Sequence, residues 1–178
     1  MPIVLIGLSH HSSPVAVRER FAFAEAHIPA SLQRLRQSGA AEEAVILSTC
    51  NRVEIVLATS DNFSSYHTVL GLMSQKSTLN FYQIKELGKR FDDEEAIGHI
   101  FSVVASLDSL VIGESQITGQ VKEAFMFSYK NGTAGRKLNR VISYAIKCAA
   151  QVRNETHISQ NPVSISSVAV AQAHKLLG

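Results

Sequence analysis

The stretch from Ala44 to Ala58, AVILSTCNRVEIVLA, is apolar except for one polar interruption, Ser48-Thr49-Cys50-Asn51-Arg52. Two short runs rich in Val and Ile, separated by turn-type residues, predict paired strands, EAVILS and VEIVLA, joined by a tight connection. A turn uses Asn readily, but it has no need of a thiol or a guanidinium. A cation two residues from Cys50, together with backbone N–H groups exposed at a turn, favours thiolate over thiol and raises reactivity. The same residues also describe a plain turn, with Asn51 in a left-handed conformation and Arg52 a solvent charge. Local chemistry leaves both readings open.

The rest of the chain sets the frame for this hairpin. IVLIGLS (Ile3 to Ser9) predicts a buried strand. Ser13 followed by Pro14 predicts a helix start, Ser as N-cap and Pro at the first helical position, continuing through VAVRERFAF. AHIPASLQRLRQS predicts a second helix closed by Gly39. FSSYHTVLGLMSQ reads as helical and FYQIKEL as a fourth strand. The expected fold class is α+β: an antiparallel four-stranded sheet with helices over residues 1–90, followed by a helical lobe.

Beyond residue 90 the period-2 alternation gives way to a helical period. DDEEAIGHIFSVVASL places Asp92 as N-cap with Glu95 three residues on, a capping-box spacing. Its apolar residues Ala96, Ile97, Ile100, Phe101, Val103, Val104 and Leu107 share one arc. GQVKEAFMFSYKNG and RKLNRVISYAIKCAAQVRNE predict two further helices. In the second, Leu138, Val141, Ala145, Cys148, Ala149 and Val152 form one face, so Cys148 reads as a core residue. The helical lobe is expected over 91–160, and VSISSVAVAQAHKLL places another helix within 161–178.

Composition narrows the function classes. The longest apolar runs fall far short of the roughly 20 residues a membrane span needs, and the N-terminus has no basic n-region of a signal peptide. Two widely separated cysteines give neither a disulfide framework nor a zinc site, so a cytoplasmic protein with free thiols, no bound metal and no membrane partner is expected. The net charge is +2, yet from Lys122 to Arg153 seven basic residues accompany a single acid, Glu123. The Arg136, Arg140 and Lys147 face is either solvated surface or a polyanion footprint. No Gly-x-Gly pair occurs among the ten glycines, so no dinucleotide fingerprint is present. His10 and His11 are adjacent and read as loop residues. His99 lies at the edge of an apolar arc. Leu107 to Ala124 is the second dense polar segment, and its carboxylates, hydroxyls and amides suit a small zwitterion.

Taken together, GLSHHSSPVAVRER, LSTCNRVEI, HIFSVVASLDSLVIGESQITGQVKEAF and QVRNETHI resemble the glutamyl-tRNA reductase family, essentially from Ile3 to Gly178. The resemblance implies that Cys50 attacks the ester of glutamyl-tRNA to form a thioester, with His99 donating a proton to the departing ribose oxygen. It implies a substrate pocket of Thr49, Asn51, Arg52, Ser109, Glu114, Ser115, Gln116 and Gln120, with Arg52 on a glutamate carboxylate and Glu114 on the ammonium. NADPH would then reduce the thioester to glutamate-1-semialdehyde for tetrapyrrole and haem biosynthesis. In the family the NADPH domain follows this region, so the chain is expected to be the N-terminal catalytic region, with 161–178 beginning a linker helix toward that missing domain. A homodimer of the full-length enzyme and an aminotransferase acting on the aldehyde are implied as partners. The chain departs from the family pattern at Ser106, where Gly is usual, at Ser102, usually basic, and at Val56, usually Tyr. A Cβ at position 106 conflicts with any backbone that needs positive φ there. The alternative is a non-catalytic tRNA-binding or regulatory module of the same fold.

Overall fold

The computed structural model describes residues 2–75, 77, 79–158 and 165–177. Four strands, β1 (Ile3–Ser9), β2 (Glu43–Ser48), β3 (Arg52–Ala58) and β4 (Lys89–Asp92), form one sheet in the order β2-β3-β1-β4. Every described pairing is antiparallel, and β1 and β3 run fully in register from Ile3↔Ala58 to Ser9↔Arg52. Between β1 and β2 lie α1 (Val15–Phe21), a 3₁₀ turn (Glu25–His27) and α2 (Ile28–Gln37). Between β3 and β4 lie α3 (Asn62–Ser74) and α4 (Phe81–Leu87). The chain then continues through α5 (Asp93–Val104), α6 (Gln116–Lys130), α7 (Arg136–Glu155) and α8 (Ile165–Leu177). The α+β architecture with an antiparallel four-stranded sheet is as expected.

Both faces of the sheet are covered, which explains why its central strands read as continuous apolar runs rather than alternating ones. Val4, Ile6 and Leu8 of β1 with Val53, Ile55 and Leu57 of β3 pack against α1–α4. The alternate residues Ile3, Leu5, Val56 and Ala58 pack against α5, α6 and α7. The division expected near residue 90 falls inside β4, and the helices that follow share a core with the sheet. The same strand parity carries Arg52 and Glu54 onto the face covered by α5–α7, beneath what would otherwise be an apolar layer.

Several local expectations are corrected. FYQIKEL is helix α4, not a strand, because Phe81, Ile84 and Leu87 recur at helical spacing and Asn80 with Gln83 closes a capping box. The fourth strand is Lys89–Asp92 instead. Helix α1 starts at Val15 with Pro14 in the cap position, and the Ser13 hydroxyl donates to the carbonyl of Ser9 (3.3 Å) rather than capping the helix. Asp92 does occupy the cap of α5, but its carboxylate binds Arg90 (Nε, 2.9 Å) and accepts from Asn62 (3.2 Å), so no capping box forms. Leu107 lies beyond the end of α5 and is exposed. On α7, Ile142 joins Leu138, Ala145 and Ala149 in the core, while Cys148 is only half-buried. Arg136, Arg140 and Lys147 are all exposed, with the Lys147 ammonium 5.6 Å from the Tyr144 ring centroid. Among the described residues no helix is long and apolar enough to cross a membrane.

The junction between the two halves depends on one carboxylate. Glu43, at the start of β2, accepts from the backbone N–H groups of Gly135 (3.0 Å), Lys137 (3.0 Å) and Leu138 (2.8 Å). It therefore serves as an N-cap for α7 from a distant part of the sequence, and its charge complements the helix dipole. Glu43→Ala is expected to lower stability by about 1–2 kcal/mol, read by urea unfolding, whereas the exposed neighbour Glu42→Ala should leave it nearly unchanged.

Candidate active site

The Ser48–Arg52 connection is held from three directions. Within it, the backbone N–H of Thr49 donates to the Arg52 carbonyl (2.8 Å), and the Thr49 hydroxyl accepts from the N–H groups of Asn51 (3.2 Å) and Arg52 (3.1 Å). From the end of β1, the His10 N–H donates to the Asn51 carbonyl (2.9 Å). From α1, the buried Arg18 donates through Nε to the Cys50 carbonyl (3.2 Å) and through Nη1 to that of Ser13. With its backbone fixed in this way, Cys50 is left exposed.

Cys50 lines a cavity of about 140 Å³ together with Thr49, Asn51, Arg52, Ser109, Glu114, Gln116 and Gln120, with Ile117 and Ser166 completing the wall. The structure thus brings two polar segments nearly sixty residues apart to one small space. Ser115 is the exception: it occupies the N-cap position of α6 and does not line this cavity. His99 is also elsewhere. It faces a neighbouring cavity of about 330 Å³ shared with His11, Glu54, Lys89, Phe91 and Asp108.

Arg52 forms the wall between the two. Its side chain is 1% exposed, and its fork is already engaged: Nη1 donates to Glu54 (2.8 Å) and Asp108 (3.2 Å), and Nη2 to the Asp108 carbonyl. The guanidinium that the family resemblance assigns to a substrate carboxylate is held inside the protein by two carboxylates of its own. Glu54 Oε1 also meets His99 Nε2 at 2.9 Å, and Asp108 Oδ1 meets His11 Nε2 at 2.6 Å. The His99 ring stacks on Phe91 with centroids 4.4 Å apart. Gly7 sits directly opposite Glu54 in the sheet, where an added Cβ would run into the Val53 carbonyl oxygen at 2.3 Å and the Glu54 Cα and Cγ at 2.7 and 2.8 Å, so glycine lets β3 and the stem of Glu54 pass this close to β1.

Glu54 and Arg18 are site residues that the sequence did not single out; His11 was read as a loop residue, and Asp108 lay in the Leu107–Ala124 polar segment without a role of its own. The signal for Glu54 was its parity with Arg52 on β3. For Arg18 no local signal exists.

Charge on this network is not neutral in effect. Burial by itself raises the pKa of Asp108, but the Arg52 guanidinium and hydrogen bonds from Arg52 and His11 outweigh it and hold the carboxyl below its ordinary value. Burial, followed by the charges of His11 and Arg52, holds His10 below the usual imidazole range.

Ser106 resolves the conflict noted at that position. Its φ is +62°, so the backbone does adopt the conformation that favours glycine. Three hydrogen bonds tie this buried residue: its N–H donates to Val103 (3.0 Å), its carbonyl accepts from Gly113 (3.1 Å) and its hydroxyl donates to the carbonyl of Glu114. The side chain that introduces strain also clasps the segment carrying Glu114 into the Cys50 cavity.

Two measurements check these assignments. A carboxylate whose folded pKa lies below the ordinary 3.8 stabilises the fold fully above that pH and loses its contribution as pH falls through the folded value. Asp108→Asn should therefore flatten the decline of unfolding free energy below about pH 4, and an unchanged acid limb rejects the assignment. At position 106, Ser106→Gly should stay within about 1 kcal/mol of the parent, since relief of left-handed strain offsets the lost bond. Ser106→Ala keeps the strain and loses the bond, and should be less stable than Ser106→Gly.

Comparison with known proteins identifies the family. The family profile described as Glutamyl-tRNAGlu reductase, N-terminal domain, matches residues 6–156. The chain is 67% identical over 175 residues to glutamyl-tRNA reductase of a Sulfurovum species, covering 98% of this chain and 40% of that protein. It is 41% identical over 179 residues to glutamyl-tRNA reductase of a Nitratiruptor species, covering 100% of this chain and 41% of that one. Among solved structures, glutamyl-tRNA reductase from Methanopyrus kandleri matches with a TM-score of 0.75 at 28% identity, over 97% of this chain and 39% of the other. The chain spans about two-fifths of the length of the curated relatives it matches. It belongs to the glutamyl-tRNA reductase family, as the N-terminal domain of that family.

Proposed function

We propose that this chain performs the acyl-transfer half of glutamyl-tRNA reduction, with Cys50 as nucleophile. The observation that carries the reading is an exposed thiol at a cavity walled mainly by hydroxyl, amide and carboxylate groups, with Arg52 and Ile117 also in its wall. Its volume, about 140 Å³, is below the roughly 300–1,000 Å³ of sites for drug-sized ligands and suits a single amino-acid residue. In this reading the Cys50 sulfur attacks the carbonyl that joins glutamate to the terminal ribose. The S–C bond forms as the C–O bond breaks, leaving a glutamyl thioester, and the thiol proton ends on the ribose oxygen. Glu114 takes the substrate ammonium, while Thr49, Asn51, Ser109, Gln116 and Gln120 orient the glutamyl group by hydrogen bonding. Ser115 acts indirectly, at the start of α6. Arg52 is assigned to holding the turn and the cavity wall, since Glu54 and Asp108 occupy its fork. His99 remains the proposed proton donor to the ribose oxygen, with Glu54 orienting its ring.

In the complete reaction the thioester would be reduced with hydride from NADPH to glutamate-1-semialdehyde, for an aminotransferase in tetrapyrrole biosynthesis. The described residues do not fit a dinucleotide. An antiparallel sheet has no parallel crossover to set a glycine-rich turn under a helix N-terminus, and the sequence has no Gly-x-Gly. No reduction step is assigned to them, and in this reading the cofactor is held by residues beyond these 178 in a cytoplasmic homodimer.

The test is incubation with glutamyl-tRNA, an acid quench and peptide mass mapping. A glutamyl adduct on Cys50, absent in Cys50→Ser, is expected. Alkylation of Cys50 should also outpace that of Cys148 and be slowed by glutamyl-tRNA. With no adduct and equal alkylation of both thiols, a non-catalytic binding module replaces this reading.

A further inference from the structure

Two guanidiniums are buried around the Cys50 turn, and only one of them is neutralised. Arg52 meets Glu54 and Asp108. Arg18, 4% exposed, has no carboxylate within ion-pair distance among the described residues. It donates instead to two backbone carbonyls, from Nε to Cys50 (3.2 Å) and from Nη1 to Ser13. A buried cation without a counter-charge is costly, and a neutral side chain could fill the same space. What sets an arginine apart here is the pair of oxygens it holds.

The pattern of α1 delivers the side chain to that place. Arg18 and Phe21 stand three positions apart on one helical face and both are buried, while Glu19 and Arg20 between them are exposed. Phe21 anchors this face in the core. The grip then falls on one peptide unit. Arg18 holds the Cys50 carbonyl, and the N–H of the same unit, that of Asn51, donates to the Thr49 hydroxyl (3.2 Å). The next unit is held in the same way, its carbonyl by the His10 N–H (2.9 Å) and its N–H by the Thr49 hydroxyl (3.1 Å). Of these contacts, Arg18 alone arrives from a helix. The other end of its fork is anchored as well. The Ser13 N–H (3.1 Å) and hydroxyl (3.3 Å) both donate to the Ser9 carbonyl, and Ser9 pairs with Arg52 across the sheet. A rigid planar fork therefore ties the peptide unit after Cys50 to the end of β1, which the point charge of a lysine cannot do.

We propose that Arg18 is a positioning residue for acyl transfer: it fixes the Cys50–Asn51 peptide unit and so aims the sulfur at the ester carbonyl, without touching substrate. The inference rests on the acyl-transfer reading, and its test separates the two. Transfer needs the reacting atoms aligned, and a misplacement of about 1 Å costs roughly a hundredfold, whereas alkylation by a small diffusing reagent makes no such demand.

Glutamyl transfer to Cys50 is followed in single turnovers over a range of glutamyl-tRNA concentrations. In Arg18→Lys the maximal rate should fall at least tenfold, with the half-saturating concentration within twofold of the parent and iodoacetamide alkylation of Cys50 within threefold. Arg18→Ala should lose about a hundredfold and regain at least tenfold with guanidinium chloride at a concentration that leaves the fold intact, but not with equal sodium chloride. The exposed neighbour Arg20→Ala should match the parent. In the parent, NMR should show the Arg18 Nε–H exchanging with solvent far more slowly than that of Arg20. An undiminished maximal rate in folded Arg18→Lys overturns the proposal. So does alkylation that falls in step with transfer, which marks a collapsed turn, or a folded Arg18→Ala that guanidinium does not restore. Where neither variant folds, an Arg18 Nε–H that exchanges as fast as that of Arg20 overturns it. Absence of any Cys50 adduct in the parent refutes the acyl-transfer reading instead, and the exchange rate still decides whether Arg18 grips the turn.

Discussion

Taking a guanidinium out of water is costly unless its charge is compensated, and Arg52 is almost wholly enclosed. Glu54 and Asp108 compensate it through the two terminal nitrogens, while its Nε has no hydrogen-bond partner among the described residues, and the surrounding polar architecture follows from that compensation. Gly7, by lacking a side chain, lets the β3 backbone and the Glu54 side chain pass close to β1. Asp108 needs to approach from the helical side, which fixes where the connection after α5 must pass. His11 and His99 then bind oxygens of the same two carboxylates. Removing one member of such a buried set leaves a charge uncompensated, typically at a cost of about 3–5 kcal/mol, so the network is rigid by necessity. That rigidity is useful, because the thiol lies two residues from its centre.

The connection between α5 and α6 shows the same logic on the backbone. Gly113 takes a φ of +89°, and a side chain there would run into the carbonyl of Ile158. Ser106 reaches a comparable conformation without being glycine. Its hydroxyl bond to the Glu114 carbonyl compensates within the same loop for the strain its Cβ creates. The loop is thus closed at both ends, and Ser109 and Glu114 are presented toward Cys50 from a fixed frame rather than from a free strap.

Much of this was legible in the residues. The apolar hairpin around STCNR, the helical period after residue 90 and the full extent of α7 stand in the structure where the pattern put them. FYQIKEL misled because a seven-residue apolar pattern is short enough to fit either period, and the Asn80–Gln83 cap settles it as helix. Most of the polar residues set beside Cys50 by resemblance do share its cavity. His99 does not, and the fork of Arg52 points inward. Glu54 and Arg18 carried no local mark beyond strand parity, and the roles of Asp108 and His11 were not legible, since each matters only through a partner between two and 97 residues away.

The sequence by itself determined the strands of the hairpin and β1, most of the helices, which face of each is apolar, and the presence of a thiol and a guanidinium at one turn. These are properties of neighbours along the chain, fixed by periodicity and turn chemistry. Only the tertiary structure decided that the Arg52 charge is compensated from within and that two cavities flank it. Pairing buried charges depends on which distant side chains the packed sheet and helices bring within hydrogen-bonding distance, and no spacing in the sequence encodes that distance.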